Sequence, residues 1–176
     1  MRRAGTVAII ALLGALAADS AARPPAVSVP MVEMEVVKVG TLNDQSVVLL
    51  RSKADRRVLP IWIGEAEANA INLRLTGRKP PRPLTHDLLD RVIAHLGGRL
   101  VKVHVEDLRD NIFYGRVFLK QGQKDIDIDA RPSDSIALAV GAKVPVLVAR
   151  KVLDAAGIAD KPASPGSPGG DKDISL

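Results

Sequence analysis

Apolar residues recur along this chain in two rhythms. Residues 31–40 alternate and are rich in valine, which predicts a strand with one face buried. Shorter apolar runs at 46–51 and 58–63 predict two more strands, with a turn across 42–45. The period then changes. Ala66, Ala70 and Leu73, with the Ile71–Leu75 pair, fall at helical spacing and predict a helix over 64–75. A second helix starts at Thr85, read as its N-cap. Asp87 suits its first turn, and Gly97-Gly98 ends it. Leu88, Leu89, Val92, Ile93 and Leu96 are its expected buried face, with His95 packed beside them. Strands follow at 99–107, 112–120 and 124–129. Pro132 opens a helix that runs to Val140, since proline suits the first helical position. A strand at 144–149 and a short helix at 150–156 complete the pattern.

These elements make one α+β domain over residues 31–157. Within it the order of three strands then a helix occurs twice, at 31–75 and 99–140. Ile61-Trp62-Ile63 followed by Ala70-Ile71 and Leu73 matches Ile126-Asp127-Ile128 followed by Ser135-Ile136 and Leu138. The turns Asn43-Asp44 and Asp110-Asn111 correspond as well. The expectation is a duplicated βββα unit, forming a compact mixed sheet with helices packed on it. Such a pair brings the two helix starts near one another.

The ends read differently. Met1-Arg2-Arg3 precedes an apolar run from Thr6 to Ala18, and Ser20-Ala21-Ala22 is a small-residue cleavage context. This is the layout of a secretory signal, and the run is short for a membrane span of about 20 residues. Residues 1–22 are therefore expected to be removed. That places the mature protein in a periplasm or outside the cell, with no stable membrane insertion. Residues 23–30 form a proline-containing linker, and residues 158–176 a disordered tail rich in Pro, Gly and Ser.

Composition narrows the chemistry. The chain has no cysteine, which excludes disulfides, thiolate zinc sites and a lipoprotein anchor. The formal charge is +5, and loss of Arg2, Arg3 and Asp19 with the signal leaves it mildly basic. This permits a polyanionic partner without requiring one. Four aromatic residues, Trp62, Phe113, Tyr114 and Phe118, leave few rings for base stacking.

The densest polar cluster is the strand-to-helix junction Asp129-Ala130-Arg131-Pro132-Ser133-Asp134-Ser135. Helix starts present free N–H groups that attract anions, so Arg131, Ser133 and Asp134 there suit a phosphate or metal–phosphate pocket. The competing account is mutual capping: Asp129 or Ser133 caps the helix, and Arg131 neutralises Asp129. Asp125 and Asp127 share a strand face with Asp129, either flanking a hydrated divalent ion or decorating an edge strand. His86 and Asp87 open the second helix after the basic loop Gly77-Arg78-Lys79-Pro80-Pro81-Arg82, where a histidine can move a proton. His104 sits at an outward strand position with no evident acidic neighbour. Glu65 and Glu67 complement the dipole of the first helix.

Three blocks in order carry a resemblance. Leu59-Pro60-Ile61-Trp62-Ile63-Gly64 with Glu67-Ala68 and Ala70-Ile71 is the first. Arg82-Pro83-Leu84-Thr85-His86-Asp87-Leu88-Leu89 is the second, and Asp129-Ala130-Arg131-Pro132-Ser133-Asp134-Ser135-Ile136-Ala137-Leu138 is the third. Together they resemble the bifunctional nuclease domain family over roughly residues 31 to 150. The resemblance implies a compact α+β domain acting on both RNA and DNA. Carried over by position, it implies catalytic roles for His86, Asp87, Asp129 and Asp134, and substrate binding by Arg82, Arg131 and Ser133. Glu67 and Asp129 would hold a divalent cation such as Mg2+. Ser135 and Gly141 depart from the family pattern, which has alanine and arginine there.

Two functions compete. One is an exported nuclease that hydrolyses phosphodiester bonds with little sequence preference. The other is a non-catalytic binding or assembly module whose polar motifs are caps and interface pairs. A small-molecule or phosphosugar binder is a third class, though nothing in the chain specifies a ligand. A homodimer is expected through an exposed sheet edge.

Overall fold

A computed structural model describes residues 29–160. The expected signal segment, most of the linker and residues 161–176 lie outside the described residues. The elements run β1 (Met31–Leu42), β2 (Gln45–Ser52), β3 (Val58–Trp62), α1 (Glu65–Leu75), α2 (Thr85–His95), β4 (Gly98–Arg109), β5 (Ile112–Gln121), β6 (Lys124–Ala130), α3 (Pro132–Ala142), β7 (Val146–Ala149) and α4 (Arg150–Ala156). The seven strands form one mixed sheet in the order β3-β2-β1-β7-β4-β5-β6.

The sheet is two antiparallel meanders, β1–β2–β3 and β4–β5–β6, joined through β7. β7 is antiparallel to β1 and parallel to β4. Each meander leads from its outer strand directly into a helix, β3 into α1 and β6 into α3. Both hairpins turn on two residues with positive φ, Asn43-Asp44 and Asp110-Asn111. Such turns match the right-handed twist of the flanking strands. The duplicated βββα unit is therefore present, with α2 inserted between the copies.

The core is aliphatic, as the shortage of aromatics requires. Ile136, Ala137, Leu138 and Ala139 of α3 pack in one cluster with Ile71 of α1, Val103 and Val105 of β4, and Val117 of β5. The outer faces of the two meanders differ. Val47, Leu49 and Val58 form a small aliphatic cluster on the first. The second carries a polar chain: His104 Nδ1 lies 3.1 Å from Glu106, and Arg116 bonds both Glu106 and Asp127.

Several expectations are corrected. The apolar stripe of α2 faces outward: Leu88 is 59% exposed, Leu96 66%, and Leu89, Val92 and His95 are exposed too. Polar anchors set the helix rotation instead. His86 is buried against Asp134, and Asp87 and Asp90 both reach Nη2 of Arg74, each at 2.8 Å. Ile93 alone of the stripe packs on the core. The helix also starts with Leu84 as its cap, because the Asp87 carboxylate accepts from the Leu84 N–H at 2.9 Å and Thr85 is not needed there. His104 is buried and has the acidic neighbour Glu106 two residues along its own strand. Residues 158–160, expected in the tail, belong to the fold. Ile158 bridges to Val58, and Asp160 pairs with Arg51 and Arg56.

Candidate functional site

The site begins with how β6 becomes α3. Gly115 of β5 lies opposite Ala130, the last residue of β6. A Cβ on Gly115 would stand 2.9 Å from the Ala130 carbonyl oxygen and 3.2 Å from Pro132 N, closer than side chains tolerate. The missing side chain lets the chain turn at once from strand to helix. Pro132 sets φ for the first helical turn, and Arg131 is the extended N-cap residue. The Ser135 N–H and Oγ both donate to the Arg131 carbonyl, at 3.0 and 3.1 Å, and fix the turn from beneath.

Fixed in this way, Arg131 links the two repeats. Its Nε donates to Asp134 Oδ2 at 2.7 Å. Its Nη2 donates to Asp134 Oδ1 at 3.0 Å and to Glu67 Oε1 at 2.7 Å. Asp134 Oδ1 also meets His86 Nε2 at 3.1 Å. The result is one chain, Glu67–Arg131–Asp134–His86, across the starts of α1, α3 and α2. Bonds to Asp134 first and Glu67 second raise the Arg131 guanidinium above its ordinary value. Burial works to raise the Asp134 carboxyl, but the bonds from Arg131 and His86 outweigh it and hold the group below the usual carboxylate range.

Two nitrogens in this chain stay open, one a donor and one an acceptor. Arg131 Nη1 forms no bond to any described residue, and the side chain is largely exposed. With Nε2–H directed at Asp134, His86 Nδ1 is the basic nitrogen; it has no partner among the described residues and keeps contact with solvent. An open imidazole nitrogen oriented by a carboxylate, one carboxylate away from an open guanidinium, can take a proton beside a bound anion.

The structure thus brings together His86, Asp134, Arg131 and Glu67 among the expected site residues. Ser133 is next to them, nine-tenths buried, and lines a groove described below. Asp87 is turned away from the chain. The Leu84 N–H and then Arg74 hold its carboxyl below the ordinary range, and it positions α2. Arg82 is exposed with no bonded partner among the described residues. Asp129 is exposed on the edge strand and likewise forms no hydrogen bond or ion pair with a described residue. The capping account of the junction therefore does not hold. No side chain caps α3, and Arg131 neutralises Asp134 and Glu67 instead of Asp129. Asp127 pairs with Arg116 and Asp125 lies near Lys120, which makes them edge-strand charges.

The expected cation ligands do not assemble. Among the described residues no three His, Asp or Glu side chains are grouped to hold a metal ion. Glu67 is engaged by Arg131, and Asp129 forms no hydrogen bond or ion pair with that chain of pairs. The described residues build no all-protein cage for a divalent cation.

An open groove of about 830 Å³ lies beside this chain of pairs. It is bounded by both hairpin tips and by the starts of α1 and α3, with Asp44, Asn111, Gly64 and Arg131 among its walls. Three residues shape this region, of which Gly115 and Arg74 escaped sequence reasoning and Gly64 entered it only as a motif member. Gly115 admits the junction. Gly64 leaves space into which the Glu67 carboxylate folds, since a Cβ there would run into it. Arg74, one-tenth exposed, ties α1 to Asp87, Asp90 and the Ala137 carbonyl of α3. The one available signal was Gly141. A Cβ at that position would strike the Arg74 guanidinium, so glycine there makes room for a cation supplied by α1.

Comparison with known proteins bears on this arrangement. Residues 48–161 match the family model described as the bifunctional nuclease domain. An uncharacterised protein of Mycobacterium tuberculosis is 45% identical over 122 residues, spanning 69% of this chain and 73% of that protein. Bifunctional nuclease 1 of Oryza sativa subsp. indica is 26% identical over 110 residues, spanning 61% of this chain and 33% of the rice protein. The bifunctional nuclease of Oryza minuta matches to the same extent. With its family-model match covering well over half the residues and its paired βββα units meeting at one ion-pair chain, the chain belongs to the bifunctional nuclease domain family.

Proposed function

We propose that this domain is a phosphodiester hydrolase acting on RNA and DNA with little sequence preference. The observation that carries the reading is the His86–Asp134–Arg131 arrangement, in which base and cation share one carboxylate. His86 Nδ1 takes a proton from water as the water oxygen bonds to phosphorus. Arg131 Nη1 stabilises the charge that develops on the phosphoryl oxygens. The bond from phosphorus to the leaving oxygen breaks, and that oxygen is protonated by the His86 imidazolium or by solvent. Asp134 orients the imidazole and balances its charge. The nuclease names of the rice relatives support the substrate class. The layout of residues 1–22 supports action after export.

His86→Ala should lower hydrolysis of both RNA and DNA by about 10²–10⁴-fold at matched folded fraction, beyond any loss of stability from removing a buried side chain. Asp134→Asn, which keeps the shape and removes the charge, should lower it too. Undiminished hydrolysis in purified His86→Ala protein would remove this reading. An assembly module is the second reading, and the outward apolar face of α2 favours it. It predicts no hydrolysis by the wild-type protein, and self-association lost in Leu88→Ser.

A further inference from the structure

The groove beside the ion-pair chain carries, besides Arg131, features that the hydrolytic chemistry does not use. Its α3 wall holds Arg131, Pro132 and Ser133, where the free N–H groups of the helix start lie. Ser133 is 7% exposed, and its Oγ has no hydrogen-bond partner among the described residues. That oxygen is not sealed off, because it is absent from the buried polar atoms that lack a partner. A hydroxyl held in a wall, unpaired and open on one side, is an incomplete hydrogen bond, and buried polar groups are ordinarily paired.

The groove also includes Trp62, at the end of edge strand β3, where it is 50% exposed. It is the chain's one tryptophan. Ile112 and Phe113 lie in the same lining. Large apolar groups left open beside an anion-seeking helix start suit a ligand with a charged part and a flat apolar part. Asp44 and Glu65 stand in the same lining, so the groove has one cation and no basic track.

We infer that this groove binds one nucleotide of a single strand, with its phosphate at Ser133 and Arg131 and its base stacked on Trp62. The inference rests on the nuclease reading for its substrate class. Duplex nucleic acid hides its base faces within the stack, so a ring can receive only an unpaired base. The single cation limits the electrostatic contribution to about one phosphate, which sets a shallow salt dependence, with a log–log slope of roughly −0.7. The groove is thus a single-strand selector that shares Arg131 with the chain of pairs.

Trp62 supplies its own probe. The full chain is titrated with a short single strand bearing uncleavable phosphorothioate linkages, with its abasic counterpart, and with a blunt hairpin duplex. Binding is followed by Trp62 fluorescence and by anisotropy of the labelled strands, while wild-type hydrolysis of ordinary single and double strands is measured in parallel. The base-bearing strand should quench Trp62 and bind about tenfold more tightly than the abasic strand or the duplex. Trp62→Leu should erase that preference and leave abasic binding unchanged, and Trp62→Phe should restore part of it. Ser133→Ala should weaken both single strands alike. Equal binding of the abasic strand or the duplex, no binding of any strand, or full preference in Trp62→Leu would overturn the inference. Preference without hydrolysis would leave the groove standing and remove the nuclease reading. Hydrolysis without preference would do the reverse.

Discussion

The two βββα units follow one plan and differ in what they place at the same points. Each turns from its edge strand into a helix, but the first starts α1 with Gly64, Glu65 and Glu67, and the second starts α3 with Arg131, Pro132, Ser133 and Asp134. The first helix start is acidic, and the second carries a cation with an open Nη1. Joined head to head, they make Glu67–Arg131 the bridge between the units. The outer faces differ too: the first unit carries a small aliphatic cluster there, and the second a chain of polar and charged pairs. The likeness supplies the frame and the groove, while the difference supplies the chemistry. Of the two helix starts, that of α3 is the one that suits an anion.

Removing the cation that sets the units apart should have the largest effect. Arg131→Met should lower hydrolysis of an oligonucleotide by about 10²-fold or more, because a charge aimed at the phosphoryl oxygens is lost. The guanidinium is 66% exposed, and exposed ion pairs contribute little to stability, so the melting temperature should barely move. A large drop in melting temperature, with activity tracking the folded fraction, would make Arg131 a clamp between the units instead.

The next effect separates the two junction glycines. At Gly115 the obstruction to a Cβ is backbone: the Ala130 and His104 carbonyl oxygens and Pro132 N. At Gly64 it is the end of the Glu67 side chain, which can swing away. Gly115→Ala should therefore cost about 1–3 kcal/mol in urea unfolding, as overpacking against rigid groups does. Gly64→Ala should cost less and act on the Glu67–Arg131 bridge. Equal costs would mean that the two junctions are equally stiff.

The strands, the helices and the repeat were legible in the sequence because alternation, helical period and turn residues are local signals. The meeting of the two helix starts was legible through the repeat. The rotation of α2 was not. Its apolar stripe Leu88, Leu89, Val92 and Leu96 has the spacing of a buried face, but the helix is turned by His86, Asp87 and Asp90, whose partners lie on α1 and α3. Asp129 and Asp134 looked equivalent as carboxylates at one junction. Only the fold distinguishes them, since one ends an edge strand and the other faces His86. His104 was misread because period two gives a strand's two faces without saying what covers either.

The smallest effect belongs to that histidine and tests the polar outer face of the second unit. His104 donates from Nδ1 to Glu106, and its Nε2 is buried without a partner. Burial first lowers its proton affinity. Lys102 and Arg116 lower it further, and Glu106 offsets this in part, so the folded value lies below the ordinary 6.5. The unfolded chain therefore binds the proton more readily than the folded one. The corresponding stability is present above pH of about 6.5 and is lost as pH falls below it toward the folded value. Melting of the wild-type protein should drop between pH 7 and pH 5. His104→Gln keeps a donor for Glu106 and cannot titrate, so its melting curve should be flatter across that window. The aliphatic cluster of Val47, Leu49 and Val58 has no titratable group, and Leu49→Val should lower stability by a similar amount at both pH values. An undiminished slope in His104→Gln would move the pH dependence to another group and leave the two outer faces alike in this respect.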